Sequence, residues 1–301
     1  MNPPTRLYST AWSVTSTGNW ASSSVSSPPP KKSPNARPYQ KNLETVSLRL
    51  FTEYNYEKMI TAFQIQFDKL ADKVLSVVNT DAGSLSEIEI WRTRHFAKIA
   101  KMFDSFLAIL RGPKDYVTLC ALIRMIYDNW YSFLWIYECS EGEDIKLRYY
   151  LYVLDSIKQR KSTMVGMHDD KVEDPRRQRL YDNTMADCKK AKRQYEDAIK
   201  SLLLYKDYHG NIRTARTSKD SWRYKDIKAT EMEFYSWSAL YERISTKETR
   251  AFLNYMSQYV HGLYASTLTI VPSNEDMLYV LAEAQSLIMS INLYLDNNPL
   301  R

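Results

Sequence analysis

The chain has 301 residues, a mass of 35.3 kDa and only seven glycines, about 2% of the sequence. Phosphate-binding loops, hairpin-rich sheets and barrels of tight turns use glycine heavily, so this composition argues against all three. Aromatic residues make up 13% and charged residues 25%, which excludes a wholly disordered protein. No run of residues approaches the ~18 consecutive apolar positions of a membrane helix, so no membrane partner is expected.

The net charge of +6 is concentrated at one end of the chain. Residues 1–43 contain five lysines and arginines and no acid, whereas residues 44–301 are close to neutral. The sequence pI of about 8.9 is therefore no argument for nucleic-acid binding. Serine and proline dominate residues 1–43, which predicts a disordered basic tail or a mis-started reading frame. A targeting peptide is the alternative, although the segment shows no amphipathic, arginine-bearing helix.

Cysteine and histidine give little sign of redox or metal chemistry. Cys120, Cys139 and Cys188 show no C-x-x-C spacing, which predicts no disulfide framework and a cytoplasmic location. The four histidines lack metal-ligand spacing, and the chain has no P-loop, G-x-S-x-G or H-E-x-x-H motif. We therefore expect neither a metal nor a cofactor.

Apolar residues recur at helical spacing in the first half of the chain. Steps of three and four from Tyr56 to Val77 predict a first amphipathic helix. The sequence Ser84-Leu85-Ser86-Glu87 is typical of a capping box that begins a second helix, and Arg111-Gly112-Pro113 ends it. A third helix, at about 115–138, is apolar on nearly all sides and is expected at the centre of the protein.

The second half continues with a long charged helix. After a fourth helix at about 143–161 and a charged connection, Asp174 and Pro175 are typical of a helix N-terminus. The helix at about 175–206 has one apolar seam and dense charge elsewhere, which predicts a long helical arm exposed on one side.

Two further breaks divide the remaining residues. Residues 207–226 are predicted to form a polar loop, followed by a helix near 227–243. The capping box Ser245-Thr246-Lys247-Glu248 begins the next helix, and a last helix runs from Ser273 to about 296. No segment alternates as a strand does. The sequence predicts an all-α protein: a tail over residues 1–43, then a single bundle of about eight helices over residues 44–301, with a long charged helical arm.

The most unusual polar residues lie in the most apolar helix. Arg124 and Asp128 are four positions apart, so one helix face presents both and they can pair. Burying an ion pair costs several kcal/mol unless further partners or water compensate. The pair is either a structural salt bridge or part of a pocket lining.

A second polar group lies on the helix that begins near Thr246. At 100° per residue, Arg250, Asn254, Ser257 and His261 fall on one stripe. The stripe is either an exposed face or one wall of a polar cleft. Histidine changes its charge near neutral pH, so His261 is the candidate catalytic residue of this group.

These features together resemble a widespread family of bacterial helical proteins of unknown function. The resemblance covers roughly residues 50–296 and rests on few positions: Arg124 with Asp128 in mid-chain, Trp222 in a loop, and Ser257, His261 and Gly262 near the end. That family is distantly similar to the HEPN helical domains, many of which are RNases of bacterial defence and toxin–antitoxin systems.

The resemblance implies an RNase site. In HEPN domains an arginine and, four to six residues later, a histidine act together at the RNA phosphodiester. Here His261 would be the general acid or base, with Ser257 and Asp128 beside it. Arg250 precedes His261 by eleven positions, about 16 Å along a helix, so Arg124 or Arg148 would have to supply the guanidinium.

Basic and aromatic residues alternate in the predicted polar loop. Such a mixture can contact phosphates and stack on bases, which makes the segment a candidate nucleic-acid surface. The candidates are Arg213, Arg216, Trp222, Arg223 and Tyr224. The alternative is a solvated loop whose tryptophan packs on the bundle.

Two functions remain open from the sequence. The first is a HEPN-like protein that acts on RNA, as an RNase of bacterial defence or as a toxin. The second is a non-catalytic helical module that binds a protein partner through the charged arm at 175–206. The sequence does not indicate an oligomeric state.

Overall fold

The computed structural model describes residues 56–78, 85–167, 174–217, 221–260 and 274–300. The predicted tail, residues 1–43, lies outside the described residues. Within the described ranges the chain forms nine α-helices and no β-strand, which confirms the all-α prediction. The helices are α1 Tyr56–Val78, α2 Glu87–Arg111, α3 Tyr116–Phe133, α4 Glu143–Met167, α5 Pro175–Ser201, α6 Leu203–Thr217, α7 Trp237–Ile244, α8 Lys247–Val260 and α9 Asn274–Asn297.

The first two helices form on the predicted apolar spacing, because each buries one face against its neighbours. The buried apolar positions of α1 include Ile60, Phe63, Leu70, Val74 and Val77. Those of α2 include Trp91, Ile99, Met102, Phe106 and Leu110, with His95 on the same face. Both apolar faces join the single core cluster of the described residues.

The N-terminus of α2 is capped two residues later than predicted. Ser86, and not Ser84, is the N-cap: its hydroxyl accepts a hydrogen bond from the Glu89 amide, and the Glu89 carboxylate accepts one from the Ser86 amide. The sequence Ser86-x-x-Glu89 satisfies the same capping pattern, so local spacing alone does not separate the two candidates. The helix ends at Arg111, as predicted.

The third helix is central. Helix α3 is capped by Asp115, packs on α2, α8 and α9, and continues through a π-helical turn at Leu134–Glu138. Together these segments match the predicted helix at about 115–138. Ten of the eighteen α3 residues are buried, which explains why its sequence is apolar on nearly all sides.

Helices α4 and α5 form an antiparallel hairpin. The Glu143 carboxylate accepts a hydrogen bond from the Leu204 amide at 3.1 Å, and the rings of Tyr150 and Tyr195 lie 5.7 Å apart. Helix α4 continues to Met167, so residues 162–167 are helical where a connection was expected. Asp174 caps α5 and Pro175 is its first residue, as predicted.

The prediction of a polar loop at 207–226 is wrong for the first half of that range. The chain leaves helical geometry at Leu202, and Leu203–Thr217 then forms α6, with a kink at Tyr208. Ile212 and Ala215 are three residues apart and fully buried, so this polar sequence still has an apolar stripe that packs on the core.

The helix predicted at 227–243 begins only at Trp237, after the Ser236 cap. Residues 221–236 instead form a short 3₁₀ turn at Ser221–Arg223 followed by irregular backbone, a segment that we call the strap. Within it the Lys225 and Tyr235 amides donate to the Glu233 and Arg223 carbonyls, both at 2.8 Å. The Asn211 amide adds hydrogen bonds to the carbonyls of residues 227 and 229. These bonds satisfy backbone groups that a helix would otherwise pair.

The last helix packs against the first. The Lys73 ammonium contacts the Asp296 carboxylate at 2.8 Å, and the Asn292 amide donates to the Gln66 carbonyl at 2.8 Å. The window at 275–297 is long and apolar enough to cross a membrane, but 61% of it is buried inside the bundle, as is usual for a core helix. Location in the cytoplasm stays a prediction.

Candidate functional site

The predicted pair on α3 is present and half-buried. Nη1 of Arg124 lies 3.2 Å from Oδ1 of Asp128, and the two side chains are 15% and 32% exposed. Neither group is enclosed in the core, and neither is fully solvated. The pair lies where α3 meets α7 and α8.

Tyr241 of α7 joins this pair into a trio. Its hydroxyl accepts a hydrogen bond from Nη2 of Arg124 at 2.6 Å and donates one to the Asp128 carboxylate. The guanidinium also lies over the phenol ring, 4.6 Å from its centroid. Burial raises the pKa of Asp128, and Arg124 and Tyr241 oppose that shift by stabilising the carboxylate. No local pattern indicated Tyr241, because it lies 113 residues from Asp128.

A second carboxylate borders α3. Tyr127 donates a hydrogen bond to the Glu283 carboxylate of α9 at 3.3 Å. Burial raises the pKa of Glu283, while the Tyr127 hydroxyl opposes the shift. Each carboxylate thus has a tyrosine donor. Sequence analysis missed Glu283 as well, since no local spacing connects α9 to α3.

Arg148 is enclosed. Its side chain lies between the rings of Trp135 and Tyr224, 4.5 and 3.9 Å from their centroids. The guanidinium pairs with Asp144 at 3.1 Å and donates to the carbonyls of residues 222 and 224 at 3.4 and 2.9 Å. With 3% of the residue exposed, Arg148 fastens the strap to α4 and offers no open guanidinium to a phosphate.

The candidate nucleic-acid residues are not on one open surface. Trp222, Arg223 and Tyr224 are 2%, 4% and 0% exposed. Trp222 packs edge-on against other aromatic rings, and the Arg223 guanidinium lies 4.7 Å from the Trp237 ring centroid. A base can stack only on an accessible ring. The remaining two candidates lie on α6: Arg213 is exposed, and Arg216 lies 3.8 Å from Glu196.

The polar stripe of α8 divides into separate environments. Arg250 pairs with Glu242 at 3.2 Å beside an open cleft of about 350 Å³, which Asn254 also lines. Ser257 donates to the Leu253 carbonyl at 2.8 Å within its own helix. The description of α8 stops at Val260, so His261 lies outside the described residues. A site that combines Arg124 with His261 therefore stays a prediction.

The described histidines, His95 and His209, do not form a site. His95 is 7% exposed and is surrounded by the rings of Phe133, Tyr137 and Tyr152. Burial, with the nearby Lys98 ammonium, lowers its pKa to about 3, so it is neutral near pH 7. In the described part of the chain no three histidine, cysteine, aspartate or glutamate side chains are grouped to hold a metal ion.

The α4–α5 hairpin carries the most distinctive exposed surface of the described chain. We call residues 156–167 and 175–201 the basic hairpin. These residues include eleven lysines and arginines, all exposed, against four acids. The cations are Lys158, Arg160, Lys161, Arg176, Arg177, Arg179, Lys189, Lys190, Lys192, Arg193 and Lys200. The charged arm predicted from the sequence is therefore a strongly basic one.

Comparison with models of protein families, with curated proteins and with solved structures finds no match to this chain. The resemblance to a bacterial helical family, and through it to HEPN domains, rests on the sequence positions named above. Functional inference therefore depends on the chain's own geometry.

Proposed function

We propose that this protein is a non-catalytic helical module that binds a partner protein through the basic hairpin. The observation that carries the proposal is the charge of that hairpin: eleven exposed cations against four acids. The connection at 168–174 contains four acids and one lysine, and residues 44–155 and 202–301 together have an excess of three acids, so the positive charge is concentrated on the two helices of the hairpin. Such a field attracts and orients an acidic partner.

The composition of the hairpin favours a protein over a nucleic acid. Four acids are interspersed among its cations, and three large apolar side chains are exposed near its tip: Val165, Met167 and Leu180. Surfaces that bind nucleic acids usually present continuous positive charge to the phosphates and accessible aromatic rings to the bases. Exposed methionine and arginine side chains are instead typical of protein interfaces.

The described residues offer weaker support for an RNase. Arg148 is enclosed by protein groups, and Arg124 is engaged by Asp128 and Tyr241. An RNase site of the HEPN-like kind needs a guanidinium that reaches a phosphate and a histidine that titrates near neutral pH. Among the described histidines, His95 is buried with a pKa of about 3, and His209 lies alone on the exposed side of α6.

Charge reversal on the hairpin tests the proposal. Tagged full-length protein is incubated with a nuclease-treated extract of the cells that make it, and retained proteins are quantified by mass spectrometry. We expect the quadruple variant K189E/K190E/K192E/R193E to retain the partner at least about tenfold less than wild type does. All four side chains are exposed, so the fold should persist, which circular dichroism checks.

A matched control reverses four exposed cations elsewhere. The variant K58E/K69E/R111E/K228E has the same net charge as the hairpin variant and should retain the partner as wild type does. Equal retention by all three proteins would refute the hairpin as the binding element.

A second assay separates the module from the RNase. Purified wild type is incubated with a mixed single-stranded RNA pool at pH 6–8, with and without Mg²⁺. We expect the RNA to stay intact. RNA cleavage that is lost in His261→Ala and Arg124→Ala would overturn the non-catalytic proposal in favour of a nuclease, at a loss of roughly 10²–10⁴-fold for a general acid or base.

A further inference from the structure

The outer part of the basic hairpin buries few of its residues within the described part of the chain. We call residues 156–167 and 175–190 the distal half. After Asp155 no residue of α4 is buried, and within 175–190 only Thr184 and Cys188 are buried. Closer to the bundle, by contrast, α4 buries Leu147, Leu151 and Leu154. Among the described residues, the distal half is thus a helix pair that buries little of its apolar surface.

Apolar residues of the distal half remain accessible. The residues that repeat at helical spacing along the pair are only half-buried: Ile157, Met164, Tyr181 and Met185. Val165, Met167 and Leu180 are 51%, 75% and 63% exposed. From the contact between Tyr150 and Tyr195, fifteen residues along each helix bring Val165 level with Leu180, about 22 Å further out. These exposed residues therefore lie at a similar height near the tip.

We propose that the distal half docks one acidic amphipathic helix of the partner protein. The helix packs its apolar face on the half-buried residues of the pair and places its acids against the surrounding cations. This inference rests on the proposed function and names the chemistry of the partner. Two antiparallel helices gain most by burying a third amphipathic helix, since helix stability in proteins comes mainly from packing of apolar faces.

Charge selects this occupant over a second copy of the chain. The distal half carries eight cations and two acids: Lys158, Arg160, Lys161, Arg176, Arg177, Arg179, Lys189 and Lys190, against Asp182 and Asp187. Asp174, which caps α5, adds one acid at the tip and lies 3.7 Å from Arg177. A second hairpin packed along these two helices would place the same cations against them and be repelled. A nucleic acid would meet the charge but leave the apolar tip uncovered, because it presents phosphates outward.

Photo-crosslinking from the tip tests the inference on the full-length protein in its own cells. The crosslinking amino acid p-benzoylphenylalanine replaces Met167 in one strain and Leu180 in another. The control position is Leu75 of α1, which is 54% exposed and lies outside the hairpin. We expect adducts from both tip positions and none from Leu75, with the crosslinked peptide acidic and apolar at every third or fourth position.

Charge reversal beside the tip tests the acidic chemistry. With the crosslinker at Met167, the added substitutions R176E/R177E/R179E should reduce the adduct by about tenfold. The triple variant K58E/K69E/R111E leaves the adduct unchanged if the effect depends on charge at the tip and not on net charge. All six positions are exposed, so neither variant removes a core contact.

The other outcomes overturn the inference. Adducts with RNA, with lipid, with a second copy of this chain or with a basic peptide would each identify a different occupant. Absence of adducts above the Leu75 level would show that the tip is not the docking site. If the quadruple hairpin variant still loses the partner in that case, the proposed function stands and only the inference about the distal half fails.

Discussion

Three arginines of this protein are held by the same combination of side chains. In each case the arginine contacts a tyrosine, either at its hydroxyl or over its ring, and the tyrosine hydroxyl donates to a carboxylate. The trios are Arg124 with Tyr241 and Asp128, Arg148 with Tyr224 and Asp144, and Arg92 with Tyr294 and Glu138. In each trio the tyrosine comes from a segment at least 80 residues from the carboxylate. The trios therefore fasten distant segments to one another, and the α3 pair has this structural role whatever else it does.

We expect a moderate loss of stability when the trio of Arg124, Asp128 and Tyr241 is broken. Asp128→Ala leaves the guanidinium and the Tyr241 hydroxyl without their acceptor, which should lower the free energy of unfolding by about 1–3 kcal/mol. The loss stays below the ~3–5 kcal/mol of a broken buried pair, because the Asp128 side chain is 32% exposed. Urea unfolding measures it.

An exposed pair supplies the control for that measurement. The Asp104 carboxylate contacts the Lys101 ammonium at 2.8 Å, but both side chains are more than half exposed. Asp104→Ala should therefore change the free energy of unfolding by less than about 0.5 kcal/mol. Equal losses in the two variants would contradict a fastening role for the α3 trio.

Local spacing predicted only part of this site. Arg124 and Asp128 were found because four residues on a helix bring two side chains to one face. Tyr241 and Glu283 were not, because their place beside α3 depends on how α7 and α9 pack, and no local pattern records that. His261 lies outside the described residues, so the RNase site stays a prediction.

His95 predicts an acid-sensitive fold. Its pKa is about 3 in the folded protein, against about 6.5 in an unfolded chain. Between these values the unfolded chain binds the proton more tightly, so stability falls as pH decreases from about 6.5 toward 3. The slope from this group is at most about 1.4 kcal/mol per pH unit. Urea unfolding of wild type and His95→Phe between pH 7 and 4.5 measures it.

The His95→Phe variant keeps an aromatic ring among Phe133, Tyr137 and Tyr152 and removes the titrating imidazole. Its stability should depend less on pH over this range. An unchanged slope in His95→Phe would assign the acid sensitivity to other groups.

Among the elements, the distal half of the basic hairpin should be the least protected long helical segment. It buries two residues, whereas α3 buries ten. Because local opening is easiest where few apolar contacts break, amides of 156–167 and 175–187 should exchange hydrogen at least about 100-fold faster than those of α3. Hydrogen-exchange mass spectrometry measures this. Equal protection of the distal half and of α3 would show that the distal half is stabilised by contacts other than core burial.

Elements with a strong apolar period were predictable, and those fixed by remote side chains were not. Helices α1, α2, α3 and α9 follow the three-and-four spacing of their buried residues. Helix α6 was missed because its stripe is short and its other positions are polar. Residues 227–236 of the strap were mistaken for part of a helix, because Asn211, which lies outside them in sequence, pairs with their backbone.

For the whole molecule, composition predicts that residues 1–43 add little to stability. They contain few aliphatic side chains and no acid, so they have little apolar surface to bury. Removal of residues 1–40 should change Tm by less than about 2 °C. Differential scanning calorimetry of the two proteins at matched concentration measures this, and a larger fall would show that the segment contributes stabilising contacts.

The pairing of the first helix with the last has a consequence during protein synthesis. Contacts between α1 and α9 join residues 219 to 226 positions apart. At about 5–20 residues per second, a ribosome needs roughly 10–45 s to make the intervening chain. Throughout that interval the α1 surface that α9 will cover stays exposed on the nascent polypeptide. The growing chain is therefore a natural substrate for chaperones that shield apolar segments until translation ends.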